Sequence, residues 1–458
     1  MRRGRRLWSL GLLAASACAL AAVPGMQVTA TGQVAGRPNI LVIVTDDQRI
    51  QTMSVLPRTS SWFRDGGTAF PNAFVTTPLC CPSRASIFTG EYAHNHGITV
   101  NPEGFPVLNH DLTIEKALHD AGYATAIDGK FLNSWDITQA PPYFDRYALQ
   151  VGYGYRDPSL NVDGTVAPVP GFATDVIGDL ARGTLADFET NDAQPWFLYV
   201  APIAPHRPYG VAGRYQDAPV GRWKGNPAVF EQDRSDKPPF VRQQSATLAE
   251  GRSIHDQQLR SLMAVDDVVD GLFTDLQALG EENTIAIFVS DNGYLWGEHG
   301  VNEAKRLPYL QSVQVPLFLQ WPGHVAAGAA DGRLVANIDI APTLLDAAGL
   351  APDTLPVDGM SLLQPTVRKN LLLEYRQSPD APAFPSWDAM ISRHREYVEW
   401  LADDATTVIF QEYYDLRDDP WQLENVLADG ITGNEPSLAT AKTALARLRA
   451  CAGAACLP

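Results

Sequence analysis

The chain has 458 residues, 45% hydrophobic and 19% charged, which excludes a disordered protein or a coiled coil and leaves room for a large buried core. Lys and Arg number 35 against 52 Asp and Glu, a formal net charge of −17; the first 35 residues hold four arginines and no acid, so the remainder stands at −21. So acidic a surface argues against non-specific nucleic-acid binding, which needs cations on the phosphates.

Residues 1–35 read as a targeting segment. Arg2, Arg3, Arg5 and Arg6 precede a mostly apolar run from Leu7 to Val23, weaker than the ~20 apolar residues of a spanning helix. No second run of that length follows, so the expectation is an exported protein, secreted or at the cell surface, with no transmembrane segment. Two other routes stay open: a twin-arginine signal at Arg5-Arg6 and lipoprotein anchoring through Cys18. Cys451 and Cys456 are placed to close a small disulfide loop in an oxidising compartment. Cys80 and Cys81 are adjacent, and their diverging Cβ vectors argue against a bond between them.

Short apolar runs then alternate with helical patterns, the signature of an α/β sheet. Asn39–Thr45 reads as a buried strand, Leu112–Asp120 as a helix, and Tyr123–Asp128 and Trp196–Val200 as strands. Gln257–Leu279 carries apolar residues at helical spacing, followed by strands at Thr284–Ser290 and Val315–Trp321. From about Leu371, three alternating segments read as antiparallel strands: LLLEY, AMISRHREYVEW and VIFQEYYDL. A helix through Leu438–Arg449 follows. The expected organisation is a targeting segment at 1–35, a large α/β domain at 36–365 and a small α+β domain at 366–458.

Polar residues gather where the strands end. Asn39–Thr45 runs into Asp46-Asp47, Thr284–Ser290 into Asp291-Asn292 and Tyr123–Asp128 into Gly129-Lys130, while Trp196–Val200 leads through a Pro-rich loop to His206. Open α/β sheets bind ligands outside the carboxyl ends of their strands. Asp46, Asp47 and Asp291 crowded together would repel one another, and a divalent cation resolves that. An oxygen-only set that includes the Asn292 carbonyl suits Ca²⁺ or Mg²⁺ better than Zn²⁺. Taken singly, each pair reads more readily as a turn; the two together, on strands that read as parallel, favour a metal.

The sharpest segment is CCPSRASIFTG at Cys80–Gly90. Pro82 suits a first helical turn and Gly90 a helix end, which puts Cys80 at a helix N-terminus. This segment resembles the signature of type I sulfatases, in which the first cysteine is oxidised to formylglycine. TDDQ at Thr45–Gln48, Gly129-Lys130, APHRP around His206, SDNG at Ser290–Gly293 and AKRLPYLQSVQVPLFLQWPG extend the likeness, and YYDLRDDPWQLENV carries it to about residue 427. The resemblance implies an alkaline-phosphatase-like fold: a large mixed sheet sandwiched by helices, with a small C-terminal α+β domain. It also implies a formylglycine hydrate nucleophile made from Cys80 by a dedicated maturation machinery, and Ca²⁺ ligated by Asp46, Asp47, modified Cys80, Asp291 and Asn292. Arg84 matches the arginine that braces the formylglycine hydrate and screens the bound anion, Lys130 and Lys305 match sulfate-contacting lysines, and His206 matches the histidine facing the leaving oxygen.

One departure stands out. Many sulfatases carry a histidine two places after the GK lysine; here Leu132 occupies that place, followed by Asn133. The GKFLN form resembles the branch acting on N-acetylglucosamine 6-sulfate, so the expected substrates are sulfated carbohydrates or aryl sulfates. The rival enzyme reading is a phosphoryl or phosphonate ester hydrolase of the same architecture. The rival of another class is an exported carbohydrate-binding or thiol-redox protein.

Overall fold

The computed structural model describes residues 36–101, 108–191, 193–378, 381, 383–431 and 433–457. The targeting segment and Cys18 lie outside them. Residues 37–458 pack as one compact unit.

Its centre is a ten-stranded mixed sheet. In chain order its longer strands are β1 (Asn39–Thr45), β2 (Ala124–Gly129), β3 (Arg146–Gln150), β4 (Ser159–Val162), β5 (Thr165–Pro168), β6 (Trp196–Ala201), β7 (Thr284–Ser290) and β8 (Leu317–Gln320). The spatial order is β8-β7-β1-β6-β2-β3-β4-β5, with the two-residue strands Thr68–Ala69 and Ala329–Ala330 extending the β8 edge. β7, β1, β6, β2 and β3 run parallel, and antiparallel partners flank them on both sides.

Both faces of the parallel strands are covered, which explains why their sequences read as unbroken apolar runs. On one face Ile40, Val42 and Val44 pack beneath α1 (Cys80–Thr89), α2 (Ile114–Asp120) and the Ile340–Ala347 helix. On the other, Leu41 and Ile43 meet α3 (Ala173–Phe188) and α4 (Leu248–Leu279). The alternation is the period-two geometry of a strand. α4 starts nine residues before the stretch expected from periodicity. Its first turns lie ahead of the apolar stripe and are closed by a capping box between Thr247 and Glu250.

Four further strands, Leu371–Tyr375, Trp387–Ile391, Arg395–Leu401 and Val408–Asp415, form an antiparallel sheet in that order. The expected middle segment AMISRHREYVEW is therefore two strands joined at Ser392-Arg393-His394. The Ala439–Arg449 helix packs on this sheet, and Cys451 and Cys456 are disulfide-bonded with Cα atoms 5.0 Å apart. Among the described residues no helix is long and apolar enough to cross a membrane.

Candidate active site

The neighbours β7, β1, β6 and β2 deliver their carboxyl ends side by side, so Asp291, Asp46, the His206 loop and Lys130 meet above one edge of the sheet. β1 ends in a sharp turn at Asp47, whose φ of 67° lies in the left-handed region that Asp tolerates better than most residues. Its amide donates to Asp291 Oδ1 at 3.1 Å, and its carbonyl accepts from Gln258 Nε2 on α4 at 3.4 Å. Gln258 is fixed in turn by Trp296, whose indole N–H donates to its Oε1 at 2.6 Å.

Cys80 opens α1, which ends at Gly90 with φ 76°, as the positions of Pro82 and Gly90 predict. The sulfur is buried at the helix N-terminus, where backbone amides and the dipole favour an anion. It donates to Asp46 Oδ1 at 3.5 Å and accepts from Lys305 Nζ at 2.7 Å. Lys305 also pairs with Asp47. Lys130 pairs with Asp46 at 2.6 Å. One helical turn into α1, Arg84 Nε donates to Asp291 Oδ2 at 2.9 Å, its Nη1 to the Lys130 carbonyl at 3.0 Å, and its Nη2 lies 3.7 Å from Asp46.

Every one of these charges is buried, so each is set by its neighbours. Burial pushes the Asp46 carboxyl up, but Lys130, His206, Arg84 and Lys305 outweigh it and hold the group well below the usual carboxylate range. Asp291 is pushed up to about 6, by burial and then by the Asp46 charge, despite Arg84. Burial disfavours both ammonium groups, yet Asp46 keeps Lys130 charged and Asp47 keeps Lys305 charged. The Cys80 thiol is pushed up to about 12 by burial, against the pull of both lysines.

Asp46, Asp47, Cys80 and His206 offer ligand atoms within 4.8 Å of one another. Asp291 is not in that cluster, because its two oxygens are turned to Arg84 and to the Asp47 amide. Asn292 Nδ2 donates to Asp47 Oδ1 at 2.6 Å, while its carbonyl Oδ1 is buried without a hydrogen-bond partner. An orphaned buried oxygen beside converging carboxylates fits a hard cation.

His206 stands on the loop after β6. Its Nδ1 is 2.6 Å from the Arg207 carbonyl and its Nε2 3.6 Å from Asp47 Oδ2. Burial lowers its imidazole below the ordinary value, against Asp47 and Asp46. The Tyr153 ring lies flat against it, centroids 3.9 Å apart. Asn133, the residue after the place where a histidine is usual, donates to the Tyr153 hydroxyl at 3.1 Å. Next to Lys130 opens a cavity of about 340 Å³ whose walls include Asn133, Trp135, Gln150 and Tyr153. Tyr153 and Gln258 carried no sequence signal as site residues.

Other polar residues of the sequence prove structural. His94 contacts Glu374 at 3.0 Å and the Cys451 carbonyl at 3.2 Å, and His96 contacts Ser86 Oγ at 3.0 Å, so the pair hydrogen-bonds a loop in place. Trp296, Glu298 and His299 are likewise buried. Glu298 pairs with Arg49 at 2.9 Å, and the Arg49 guanidinium lies 4.0 Å over the Trp296 ring.

The architecture is that of the alkaline-phosphatase-like class. It superposes on a solved structure described as in complex with its substrate D-glucosamine-2-N,6-O-disulfate, with TM-score 0.78 and 24% identity, covering 90% of this chain and 97% of that one. The sulfatase family profile matches residues 38–350, and the profile named N-sulphoglucosamine sulphohydrolase, C-terminal, matches 297–449. The chain belongs to the sulfatase family. It is 28% identical to the N-acetylglucosamine-6-sulfatase of Homo sapiens over 493 aligned positions, 92% of this chain and 86% of that protein. It is 31% identical to the extracellular sulfatase SULF-1 homolog of Drosophila melanogaster over 73% of this chain, but spans only 32% of that protein's length. It spans 50% of the Caenorhabditis elegans counterpart.

Proposed function

We propose that the protein hydrolyses sulfate monoesters of sugars, with N-acetylglucosamine 6-sulfate as the leading substrate. The observation that carries this reading is the setting of Cys80. Its sulfur sits at a helix N-terminus, touching Lys305 and Asp46, with Lys130 and Arg84 converging on the same carboxylates. Those groups set three fixed cations, each paired with a carboxylate, beside a nucleophile position, and preorganised charge of that kind is usually the largest catalytic contribution. The match to N-acetylglucosamine-6-sulfatases over most of the chain supports the sugar 6-sulfate.

Conversion of Cys80 to formylglycine would supply, as the aldehyde hydrate, a hydroxyl nucleophile with a second hydroxyl for release of sulfate. A divalent cation, Ca²⁺ or Mg²⁺, held by Asp46, Asp47, residue 80 and Asn292, with Asp291 joining once an oxygen turns from Arg84 or the Asp47 amide, would neutralise the carboxylates and polarise the sulfate. The chain's own residues do the rest. Lys130 and Lys305 bind the SO₃ oxygens, and Arg84 braces residue 80 and screens the bound anion. His206 delivers a proton to the leaving sugar oxygen, a poor leaving group as the bare alkoxide. The 340 Å³ cavity beside Lys130 receives the sugar.

Export is part of the proposal, supported by the Cys451–Cys456 disulfide. Two observations weigh against the rivals. Among the described residues a single group of ligand atoms clusters closely enough for a metal, and two-metal phosphoryl transfer needs a second. Cys80 is fully buried, unlike the accessible, low-pKa thiolate of a redox protein. The test is mass spectrometry of the Cys80 peptide from the native host, paired with turnover of N-acetylglucosamine 6-sulfate. Formylglycine with sulfate release is expected. An unmodified thiol together with preferential cleavage of phosphonate esters would overturn the reading.

A further inference from the structure

His206 is held at two levels by two tyrosines of one loop. Tyr155 fixes the main chain: its hydroxyl donates to the Ile203 carbonyl at 3.1 Å and to the His206 carbonyl at 2.8 Å. Two residues earlier, Tyr153 meets the ring itself, face to face, with centroids 3.9 Å apart and planes 7° from parallel. The tyrosine ring is tied at its far end by Asn133 Nδ2 on its hydroxyl at 3.1 Å, and the Lys130 ammonium lies 5.1 Å from its centroid.

We propose that Tyr153, braced by Asn133, is a positioning residue that holds the His206 imidazole with Nε2 turned into the active site. This rests on the reading of His206 as the leaving-group acid. A histidine on a loop has two free side-chain torsions. One is restrained by the 2.6 Å contact of Nδ1 with the Arg207 carbonyl. That contact alone leaves the ring free to tilt about it; a parallel neighbouring ring removes the tilt. The arrangement also gives Asn133 a role: it pins the plate against which the histidine rests. Tyr153 is half-buried; one face of its ring is committed to the histidine, and the residue also lines the sugar cavity.

The experiment compares Tyr153→Leu, Tyr153→Phe and Asn133→Ala, each alone and combined with His206→Ala. The readouts are kcat and KM on N-acetylglucosamine 6-sulfate and on nitrophenyl sulfate, with a thermal melt on every variant. Tyr153→Leu is expected to lower kcat on the sugar sulfate about three- to tenfold, the scale of a lost ring stack. That fall should exceed both the change in KM and the change in turnover of the activated aryl ester. Combined with His206→Ala, it should cost nothing more, because a residue that acts through another shows no effect once the other is gone. Tyr153→Phe keeps the stack and should restore most of kcat. Should Tyr153→Leu fail to fold, Asn133→Ala, which removes only the brace, carries the same comparison with a smaller loss.

Losses that multiply with those of His206→Ala, or that fall on KM for the sugar alone, would overturn the proposal and leave Tyr153 with sugar contact as its only role. The general-acid reading fails separately. Its sign is equal damage to both substrates by His206→Ala, whatever Tyr153 does.

Discussion

The Lys305 ammonium lies 2.7 Å from the Cys80 sulfur while also pairing with Asp47. The side chains of residues 80 and 47 are thus tied to one cation. Cys80→Ala is expected to abolish sulfate-ester hydrolysis. Cys81→Ser should retain much of it, because Cys81 packs in the hydrophobic core beneath the sheet-facing side of α1. Lys305→Ala should cost about 10²–10³-fold in kcat, the scale of a lost preorganised charge contact. Steady-state assays on purified, mass-verified variants decide all three. An active Cys80→Ala protein would remove the nucleophile assignment.

Metal dependence follows from the oxygen donors of Asp46, Asp47 and Asn292. Chelation should abolish activity, and Ca²⁺ or Mg²⁺ should restore it better than Zn²⁺. Asn292→Ala should raise the concentration of Ca²⁺ needed for half-restoration, since it deletes the buried, unpartnered carbonyl oxygen. A titration of activity against free Ca²⁺ measures both effects, and restoration by Zn²⁺ alone would contradict them.

Proton donation and charge stabilisation separate by leaving group. A sugar 6-sulfate expels a poor alkoxide and depends on a general acid, worth typically about 10²–10⁴-fold, whereas a nitrophenyl ester hardly needs one. His206→Ala should therefore harm the sugar sulfate far more than the aryl sulfate. Lys130→Ala should harm both by similar factors, because both present the same SO₃ group. The measurement is kcat/KM for each pair.

The docking of the C-terminal disulfide loop carries a pH signature. Burial works against the His94 cation, but the hydrogen bond and charge of Glu374 win and raise its pKa. Burial likewise opposes the Glu374 carboxylate, yet His94 holds its pKa below the ordinary value. A raised histidine contributes stability that is complete below its unfolded pKa and is lost as pH rises through the folded one. A lowered carboxylate contributes stability present above its unfolded pKa and lost as pH falls through the folded one. The pair is thus most stabilising at roughly pH 5–6, between the ordinary Glu and His values. The melting-temperature gap between wild type and His94→Gln should peak there and shrink toward pH 9. A gap independent of pH would show that the contact is not ionic.

β1 and β7 were legible to the residue, because strands buried on both faces appear as apolar runs cut off by polar turns. The same logic exposed Asp46 and Asp291 at their ends. Lys305 came only from the family resemblance, since it stands on a loop whose position is set by distant packing. α3 was not read from the sequence; its interior holds Gly178 and Gly183, weak helix formers. Gly178 in fact marks close approach: a Cβ there would meet Val268 of α4 at 2.5 Å. Tyr153 and Gln258 escaped because an aromatic and an amide carry no motif; their roles exist only through contacts between remote parts of the chain.

Cys80 is wholly buried, and Lys305, one of the groups that covers it, lies 225 residues further along the chain. At ordinary synthesis rates those residues take roughly 10–45 s to be added. Any enzyme that alters Cys80 therefore works against a clock: it meets the side chain in that interval, or on a chain kept from folding, and not afterwards. The yield of mature protein should accordingly track the contest between modification and folding, rising when folding is slowed and falling when it is hastened.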